Sequence, residues 1–310
     1  MRPCPGGTRG AVRRILVTGW FSFLDGEATA GDVLALRRVE DLLERAGLPY
    51  DVVWSAGFRP GHLDMDHVRP RAYSHLLFVC GPLHGAPVAA LHRRFRHCVR
   101  IAVGVSVIDE RDPAVTGFHR VLARDVPSGG EPVVDLAARA PAQPPVPVVG
   151  VILTHGQGEY GALRRHERVA DGVTRWLGRR DCARVELETR LDAYDWRLSG
   201  TPEQLQSVLA RLDLIVTDRL HGLVLGLRAG VPVLAVDPVA GGAKVTAQAR
   251  ACGWPALVPA ERLGTELLER WTRWCLSDGR AAARLIRDGL AAGTVPDSAD
   301  GLLTALEHPG

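Results

Sequence analysis

The stretch that most constrains the fold is Leu214 to Asp237, where a strand, a polar corner, a helix and a second strand follow one another. Leu214 to Val216 is a short apolar run, and Leu223 to Ala229 is an apolar helix that Gly230 ends. Val233 to Asp237 is a second apolar run. Strand, helix and strand within about two dozen residues predict a βαβ unit of a parallel sheet.

The polar corner, residues 217 to 222, is the candidate functional site. Ligands of parallel sheets bind beyond the carboxyl ends of the strands, and the N-terminus of a helix attracts anions. Arg219 supplies a fixed cation, His221 supplies an imidazole that titrates near neutral pH, and Asp218 and Gly222 lie beside them. The corner predicts an anionic substrate and proton transfer. In the alternative, Arg219 is a surface ion-pair partner and His221 caps the helix.

Composition limits the class of protein. A chain of 310 residues suits two domains, and a net charge of +3 without a basic block does not predict a nucleic-acid partner. Six scattered cysteines show no metal spacing, and no apolar stretch is long enough for a membrane span. We therefore expect a cytoplasmic protein without a metal centre or signal peptide. Lys244, the only lysine in an arginine-rich chain, is a candidate contact for substrate charge.

The domain boundary is predicted in the connector Ala138 to Pro147, which contains four prolines and no glycine. Strands and helices alternate on both sides of it. The predicted domains are residues 1–140 and 141–310, and a short last helix, Asp297 to Leu306, is a candidate to pack back on the first domain.

The segment TDRLHGLVLGLRAGVPVLAVD resembles the signature of the polysaccharide pyruvyl transferase family. Members carry an (S/T)-x-R-L-H-(G/A/S) corner, an apolar helix, and then G-x-P and a strand. Weaker similarities are a G-D pair at Gly31-Asp32, a G-x-S at Gly104 to Ser106, and residues 124 to 137. The resemblance implies two Rossmann-like parallel-sheet domains that face each other across a cleft (GT-B-like), the first on the acceptor side and the second on the donor side.

The implied reaction transfers pyruvate from phosphoenolpyruvate onto two sugar hydroxyls to form a cyclic ketal, releasing phosphate. Phosphoenolpyruvate is a co-substrate, and no cofactor is expected. Arg219 would clamp the anion, His221 would be the general acid, and Lys244 would add a second positive charge. Asp32 would face the cleft and deprotonate the incoming hydroxyl; in the alternative it caps its own helix.

Further candidates are less specific. His84 follows a turn with only Gly81 and Gly85, where family members have a richer glycine run, so it is either an acceptor contact or a loop residue. Arg124 could bind substrate or pair with Asp125. His155 and Tyr160 lie in a Gly-rich loop after a predicted strand. The predicted substrate-binding residues are Lys244, Gly222, Asp218, His155, Arg124 and His84.

Two other functions remain open. The same scaffold suits a glycosyltransferase that uses a nucleotide sugar, whose diphosphate would bind at the corner. A non-catalytic protein that binds a sugar or nucleotide is the second. The sequence does not identify the acceptor or the oligomeric state.

Overall fold

The computed structural model describes residues 14–24, 28–154 and 158–307. It divides the chain between Gln143 and Pro144 into two compact units. The division falls inside the proline-rich connector.

The first unit is built on a parallel five-stranded sheet with the order β2-β1-β3-β4-β5. Its strands are β1 (Ile15–Thr18), β2 (Tyr50–Val52), β3 (His75–Pro82), β4 (Val99–Ser106) and β5 (Arg120–Asp125). Its helices are α1 (Ala30–Arg45), α2 (Gly85–Arg94) and α3 (Pro113–Thr116).

The second unit repeats this topology, with the sheet order β10-β9-β8-β6-β7, again all parallel. Its strands are β6 (Val148–Ile152), β7 (Ala183–Glu186), β8 (Leu214–Thr217), β9 (Val233–Asp237) and β10 (Leu257–Pro259). Its helices are α4 (His166–Leu177), α5 (Pro202–Leu209), α6 (Leu220–Arg228), α7 (Lys244–Ala251), α8 (Thr265–Leu276), α9 (Asp278–Ala291) and α10 (Leu302–Glu307).

Each sheet has one topological switch point, which is where ligands bind in such folds. In the first unit the chain moves from β1 to one side and returns to the other, so the switch point lies between β1 and β3. In the second unit it lies between β6 and β8. The prediction of two Rossmann-like parallel-sheet domains is confirmed.

The predicted start of one helix shifts. Helix α6 begins at Leu220 rather than Leu223, so His221 and Gly222 lie in its first turn. Thr201 caps α5 and accepts a hydrogen bond from the backbone N–H of Gln204. Arg124 lies within β5, which continues beside β4 as far as Asp125.

Helix α6 sits very close to its sheet, and glycine makes this possible. A Cβ atom on Gly226 would lie 2.6 Å from Val233 Cγ2 and 2.8 Å from Ile215 Cδ1. Both neighbours are fully buried, on β9 and β8. The helix therefore packs at a distance that only a hydrogen at this position permits.

Replacing Gly226 by Ala should lower the free energy of unfolding of the second unit by about 1–3 kcal/mol, because the added methyl overpacks a closed core. Chemical denaturation measures the change. Gly31→Ala is the control, since that helical glycine has its nearest neighbour at 3.6 Å and gains helix propensity. Equal stability of Gly226→Ala and the wild type would contradict the packing argument.

Candidate functional site

Hydrogen bonds join the ends of β6 and β8 at the switch point of the second unit. Thr217 Oγ1 donates to the carbonyl of Ile152 at 2.8 Å and accepts from the backbone N–H of Arg219 at 3.0 Å. The carboxylate of Asp218, a buried residue, accepts from the backbone N–H of Thr154 at 2.7 Å. Asp218 therefore braces the loop after β6, which is a structural role beside the substrate contact predicted for it.

The hydrogen bonds of Thr217 also explain why residue 222 is a glycine. A Cβ atom at this position would lie 2.2 Å from Thr217 Oγ1 and 2.9 Å from Thr217 Cβ. A side chain here would displace the hydroxyl that joins β8 to β6. The glycine of the corner thus allows the first turn of α6 to rest on Thr217.

Arg219 is the N-cap residue of α6, and its guanidinium pairs with Glu188. The two side chains are 26% and 33% exposed, so the pair lies at the surface edge rather than in the core. Partial burial alone would raise the pKa of Glu188, but the backbone N–H of Arg190 and the charge of Arg219 lower that pKa below its ordinary value. The predicted anion clamp is therefore occupied by a carboxylate of the chain itself.

His221 lies in the first turn of α6 and is exposed. Its imidazole makes no hydrogen bond within the part of the chain that the structure describes, so both ring nitrogens are available. It lines a cavity of about 560 Å³ beside α5 and α6. The lining residues are Thr189, Leu191, Pro202, Glu203, Leu205, Gln206, His221, Leu225 and Arg228.

Lys244 is the first residue of α7. Its ammonium lies 3.8 Å from Glu159 Oε1 and 5.6 Å from the ring centroid of Tyr160. Backbone hydrogen bonds from Ala240 to Leu163 and from Arg165 to Pro238 hold the segment with Glu159 and Tyr160 against the loop after β9. Lys244 and Tyr160 are therefore brought together as neighbours, which their separation in the sequence does not show.

The loop before α7 is organised by Asp237, a fully buried residue at the end of β9. Its carboxylate accepts hydrogen bonds from the backbone N–H groups of Val239, Ala243 and Thr246 and from the Thr246 hydroxyl. These bonds set the direction in which α7, and with it Lys244, leaves the sheet.

His166 begins α4 and is 1% exposed. Burial lowers the pKa of its imidazole, and the nearby positive charges of Arg164 and Lys244 add to this effect, while Glu167 and Glu159 oppose it. A neutral imidazole is thus favoured close to Lys244. Neither Glu188, Glu159 nor His166 was predicted as a site residue, because each reaches the site through contacts distant in the sequence.

Asp32 is bound into the start of α1. Its carboxylate accepts hydrogen bonds from the backbone N–H of Thr29 at 3.0 Å and from the Thr29 hydroxyl at 2.8 Å, and the Thr29 hydroxyl accepts from the Asp32 backbone at 3.2 Å. The Cys80 thiol donates to Asp32 Oδ1 at 3.1 Å, and burial together with this carboxylate raises the pKa of Cys80. These contacts favour the helix-capping alternative for Asp32.

Cys80 also shows where the backbone of the first unit is unusual. Alone among the non-glycine residues described, it has a positive φ, +54°. Gly81 follows with φ +75°, and a Cβ on it would lie 2.3 Å from Trp20 Cδ1. The end of β3 is therefore shaped to receive Trp20, whose indole N–H donates to the carbonyl of Pro82 at 2.9 Å.

The other two candidates of the first unit have defined places. His84 is the N-cap residue of α2, and its ring lies 5.1 Å from that of Trp20. Arg124 bonds to Ser106, Asp125 and Asp135, which confirms a local pair with Asp125 and adds two further partners. Hydrogen bonds and charge from Asp125 and Asp135 raise the pKa of Arg124. This arginine joins β4, β5 and the turn at Asp135.

His155 lies outside the described residues. Within the residues that the structure describes, no three His, Cys, Asp or Glu side chains are grouped so that they could hold a metal ion. The helices of that same part of the chain include none with the length and apolar character needed to cross a membrane.

Comparison with known proteins supports the resemblance found in the sequence. The family model for polysaccharide pyruvyl transferase matches residues 172–238, which confirms the similarity over the segment from α4 to β9. That segment contains the corner with Arg219 and His221. No curated protein matches this chain.

Solved structures with a similar course of the chain include two glycosyltransferases and an epimerase. A spinosyn rhamnosyltransferase complexed with thymidine diphosphate has 13% identity, covering 96% of this chain and 100% of its own, with a TM-score of 0.33. A spinosyn forosaminyltransferase has 12% identity, 96% and 99% coverage, and a TM-score of 0.34. The UDP-GlcNAc 2-epimerase from Methanocaldococcus jannaschii has 9% identity, 91% and 100% coverage, and a TM-score of 0.31. At TM-scores this low, the activities of these proteins say nothing about the activity of this chain.

Releasing Arg219 from its internal partner should strengthen anion binding. We expect Glu188→Gln to bind inorganic phosphate about two- to fivefold more tightly, because an exposed ion pair contributes about 0.2–1 kcal/mol and the anion no longer competes with a carboxylate. Titration calorimetry measures the affinity. Glu186→Gln, at an exposed position on β7, is the charge-matched control. Weaker phosphate binding by Glu188→Gln than by this control would contradict competition for Arg219.

The buried imidazole of His166 predicts a pH dependence of stability. Because its pKa in the folded protein lies below the ordinary value of 6.5, the unfolded chain takes up the proton first on acidification. The free energy of unfolding should therefore fall more in the wild type than in His166→Gln between about pH 7.5 and about pH 5.5. Denaturation at both pH values measures this. His62→Gln, at an exposed position, should follow the wild type; identical pH slopes for all three proteins would rule out the effect.

Proposed function

We propose that this protein is a pyruvyl transferase that moves pyruvate from phosphoenolpyruvate onto two hydroxyls of a saccharide and releases phosphate. The observation that carries the proposal is the corner at the start of α6. There Arg219 and an exposed His221 lie at a topological switch point, inside the segment that matches the pyruvyl transferase family.

The charges of the corner suit phosphoenolpyruvate. Its phosphate and carboxylate both require cations, and a guanidinium binds either group through two parallel hydrogen bonds. Arg219 can make these bonds once the substrate replaces Glu188. The first N–H groups of α6 add a partial positive charge beside Arg219. Lys244, which contacts Glu159 at 3.8 Å and the Tyr160 ring, supplies a second cation for the other end of the substrate.

The chemistry then follows from proton transfer. In the proposed mechanism the His221 imidazolium gives its proton to the methylene carbon of phosphoenolpyruvate, and C2 becomes electrophilic. One sugar hydroxyl adds to C2 and gives its proton to a phosphate oxygen of the substrate, so that the phosphate later leaves as hydrogen phosphate. A second hydroxyl of the sugar adds to the same carbon as the C2–oxygen bond to phosphate breaks, which closes the ketal. His221, now neutral, can accept the proton of the second hydroxyl and return to its starting state.

Asp32 is the base that the sequence suggests, but the hydrogen bonds of its carboxylate oppose the uptake of a proton. Its carboxylate already accepts bonds from Thr29 and Cys80, and protonating it would weaken the cap of α1. The proposal therefore depends on Arg219, His221 and Lys244, and not on Asp32.

The test is release of phosphate from phosphoenolpyruvate in the presence of a panel of saccharide acceptors. We expect acceptor-dependent release that His221→Ala reduces by about 10²- to 10⁴-fold, the usual contribution of a general acid. Arg219→Ala should mainly raise the KM for phosphoenolpyruvate. His62→Ala and Arg284→Ala, at exposed positions outside the corner, are the matched controls.

Unchanged turnover in His221→Ala would rule out His221 as the acid. Absence of phosphate release with every acceptor, together with tight binding of a nucleotide sugar, would instead favour the glycosyltransferase alternative.

A further inference from the structure

Two aromatic side chains on the loop between β7 and α5 are exposed to solvent. Tyr194 is 100% exposed and Trp196 is 92% exposed. No other Phe, Tyr or Trp among the described residues is more than half exposed. Large aromatic groups gain most when buried, and Tyr and Trp are enriched where proteins bind their partners. Their exposure at one place therefore points to a ligand.

The loop that carries them is ordered by its own hydrogen bonds. Its two ends meet where the backbone N–H of Asp192 donates to the carbonyl of Ser199 at 3.0 Å. Asp192 Oδ1 accepts from the backbone N–H groups of Tyr194 and Asp195. The guanidinium and backbone N–H of Arg197 bind Asp195 and lower the pKa of that carboxyl to about 2.

An ordered loop of this kind presents its aromatic rings at low entropic cost. Tyr and Trp have only two side-chain torsions, so little freedom is lost when a ligand covers them. Because the backbone is already fixed, a ligand does not have to order the loop before it binds. The loop therefore has the properties of a preorganised binding surface.

The same loop borders the groove that contains His221. Leu191 lines this cavity of about 560 Å³ together with Leu205 and Leu225, which supply apolar surface. Thr189, Glu203, Gln206, His221 and Arg228 supply polar groups to the same lining. A lining that combines apolar and hydrogen-bonding groups suits a pyranose ring, which has an apolar face and a rim of hydroxyls.

We propose that the groove and the aromatic pair Tyr194–Trp196 form one binding site for a carbohydrate chain, the acceptor of the transfer. This inference rests on the proposed function. The reactive sugar lies in the groove against His221, and a further sugar ring stacks on Trp196 or Tyr194. Neither aromatic residue lines the groove. A ligand that contacts both the groove and an aromatic ring must therefore be longer than a single sugar ring.

The charges of the loop favour a saccharide over a membrane surface. Its two arginines, Arg190 and Arg197, are outnumbered by three carboxylates, Glu188, Asp192 and Asp195. Elements that bind anionic lipids combine aromatic residues with an excess of Lys and Arg. Acidic side chains weaken that attraction, whereas they accept hydrogen bonds from sugar hydroxyls.

The experiment measures ligand binding at Trp196 directly and does not depend on enzymatic turnover. The full chain is labelled with 5-fluorotryptophan, and the ¹⁹F resonance of Trp196 is assigned with Trp196→Phe. The probes are neutral oligosaccharides of one to six glucose, galactose, mannose or N-acetylglucosamine units, and vesicles of phosphatidylglycerol. We expect the Trp196 resonance to shift with at least one oligosaccharide, more than with the matching monosaccharide, and not with vesicles.

A shift with vesicles alone, or with no saccharide at all, would overturn the proposal. Broadening that grows with protein concentration in the absence of sugar would also overturn it, because it would show self-association through the loop.

Variants connect binding to the reaction. Trp196→Ala and Tyr194→Ala should each weaken binding of the active oligosaccharide at least fivefold. In the phosphate-release assay they should raise the KM for that acceptor without changing the KM for phosphoenolpyruvate. Leu285→Ala, which removes an apolar side chain that is 74% exposed on α9, is the control.

The two readouts separate the two proposals. Sugar binding lost in the variants, with no turnover by the wild type, would refute pyruvyl transfer and retain the carbohydrate site. Normal turnover with an acceptor KM that both variants leave unchanged would refute the site and retain the function.

Discussion

The hydrogen bonds between the ends of β6 and β8 are the constraint on which the rest of the candidate site depends. Thr217 binds the carbonyl of Ile152 through its hydroxyl, and Asp218 binds the N–H of Thr154. Both acceptors and donors are buried, where an unmade hydrogen bond costs about 1–3 kcal/mol. The two strand ends are therefore held in one arrangement, and α6 begins from it in a fixed direction. Arg219 and His221 project from that fixed start.

Arg219 and Glu188 neutralise each other at the proposed anion site. Arg219 lies at the partly exposed N-terminus of α6, where the helix dipole disfavours an unpaired positive charge. Glu188 neutralises it, and the backbone N–H groups of Thr189 and Arg190 hold the carboxylate. If phosphoenolpyruvate binds here as proposed, its phosphate and carboxylate offer more negative charge than the one carboxylate of Glu188 that they replace.

The sequence predicted those features that depend on neighbouring residues. The strand–corner–helix–strand unit and the place of Arg219 and His221 in its corner follow from local order, whereas the helix cap expected at His221 is Arg219 instead. Partners that meet across strands could not be predicted from local order. Glu188 lies 31 residues from Arg219 and meets it only because β7 and β8 flank β6 in the sheet.

Contacts between residues distant in the sequence also explain Gly222 and Asp32. Gly222 reads as part of a binding motif, yet the space it leaves is needed by Thr217, a contact that depends on how the helix meets the strand. Asp32 could act as a cap or a base on sequence grounds. Its bond from Cys80, 48 residues away, adds to the capping box and makes a freely titrating carboxylate less favourable.

Two sheets of one topology have thus acquired different chemistry at their switch points. Near the switch point of the first unit, Trp20, Cys80 and Asp32 make hydrogen bonds within the chain. In the second unit the corner keeps an imidazole without a hydrogen-bond partner among the described residues, next to a groove and an aromatic loop. Polar side chains that already make hydrogen bonds within the chain stabilise the fold. Side chains that are available for new hydrogen bonds can act on a substrate. If the groove holds the acceptor, the second unit carries the cation, the acid and the saccharide contact together. The division into an acceptor domain and a donor domain would then not describe this protein.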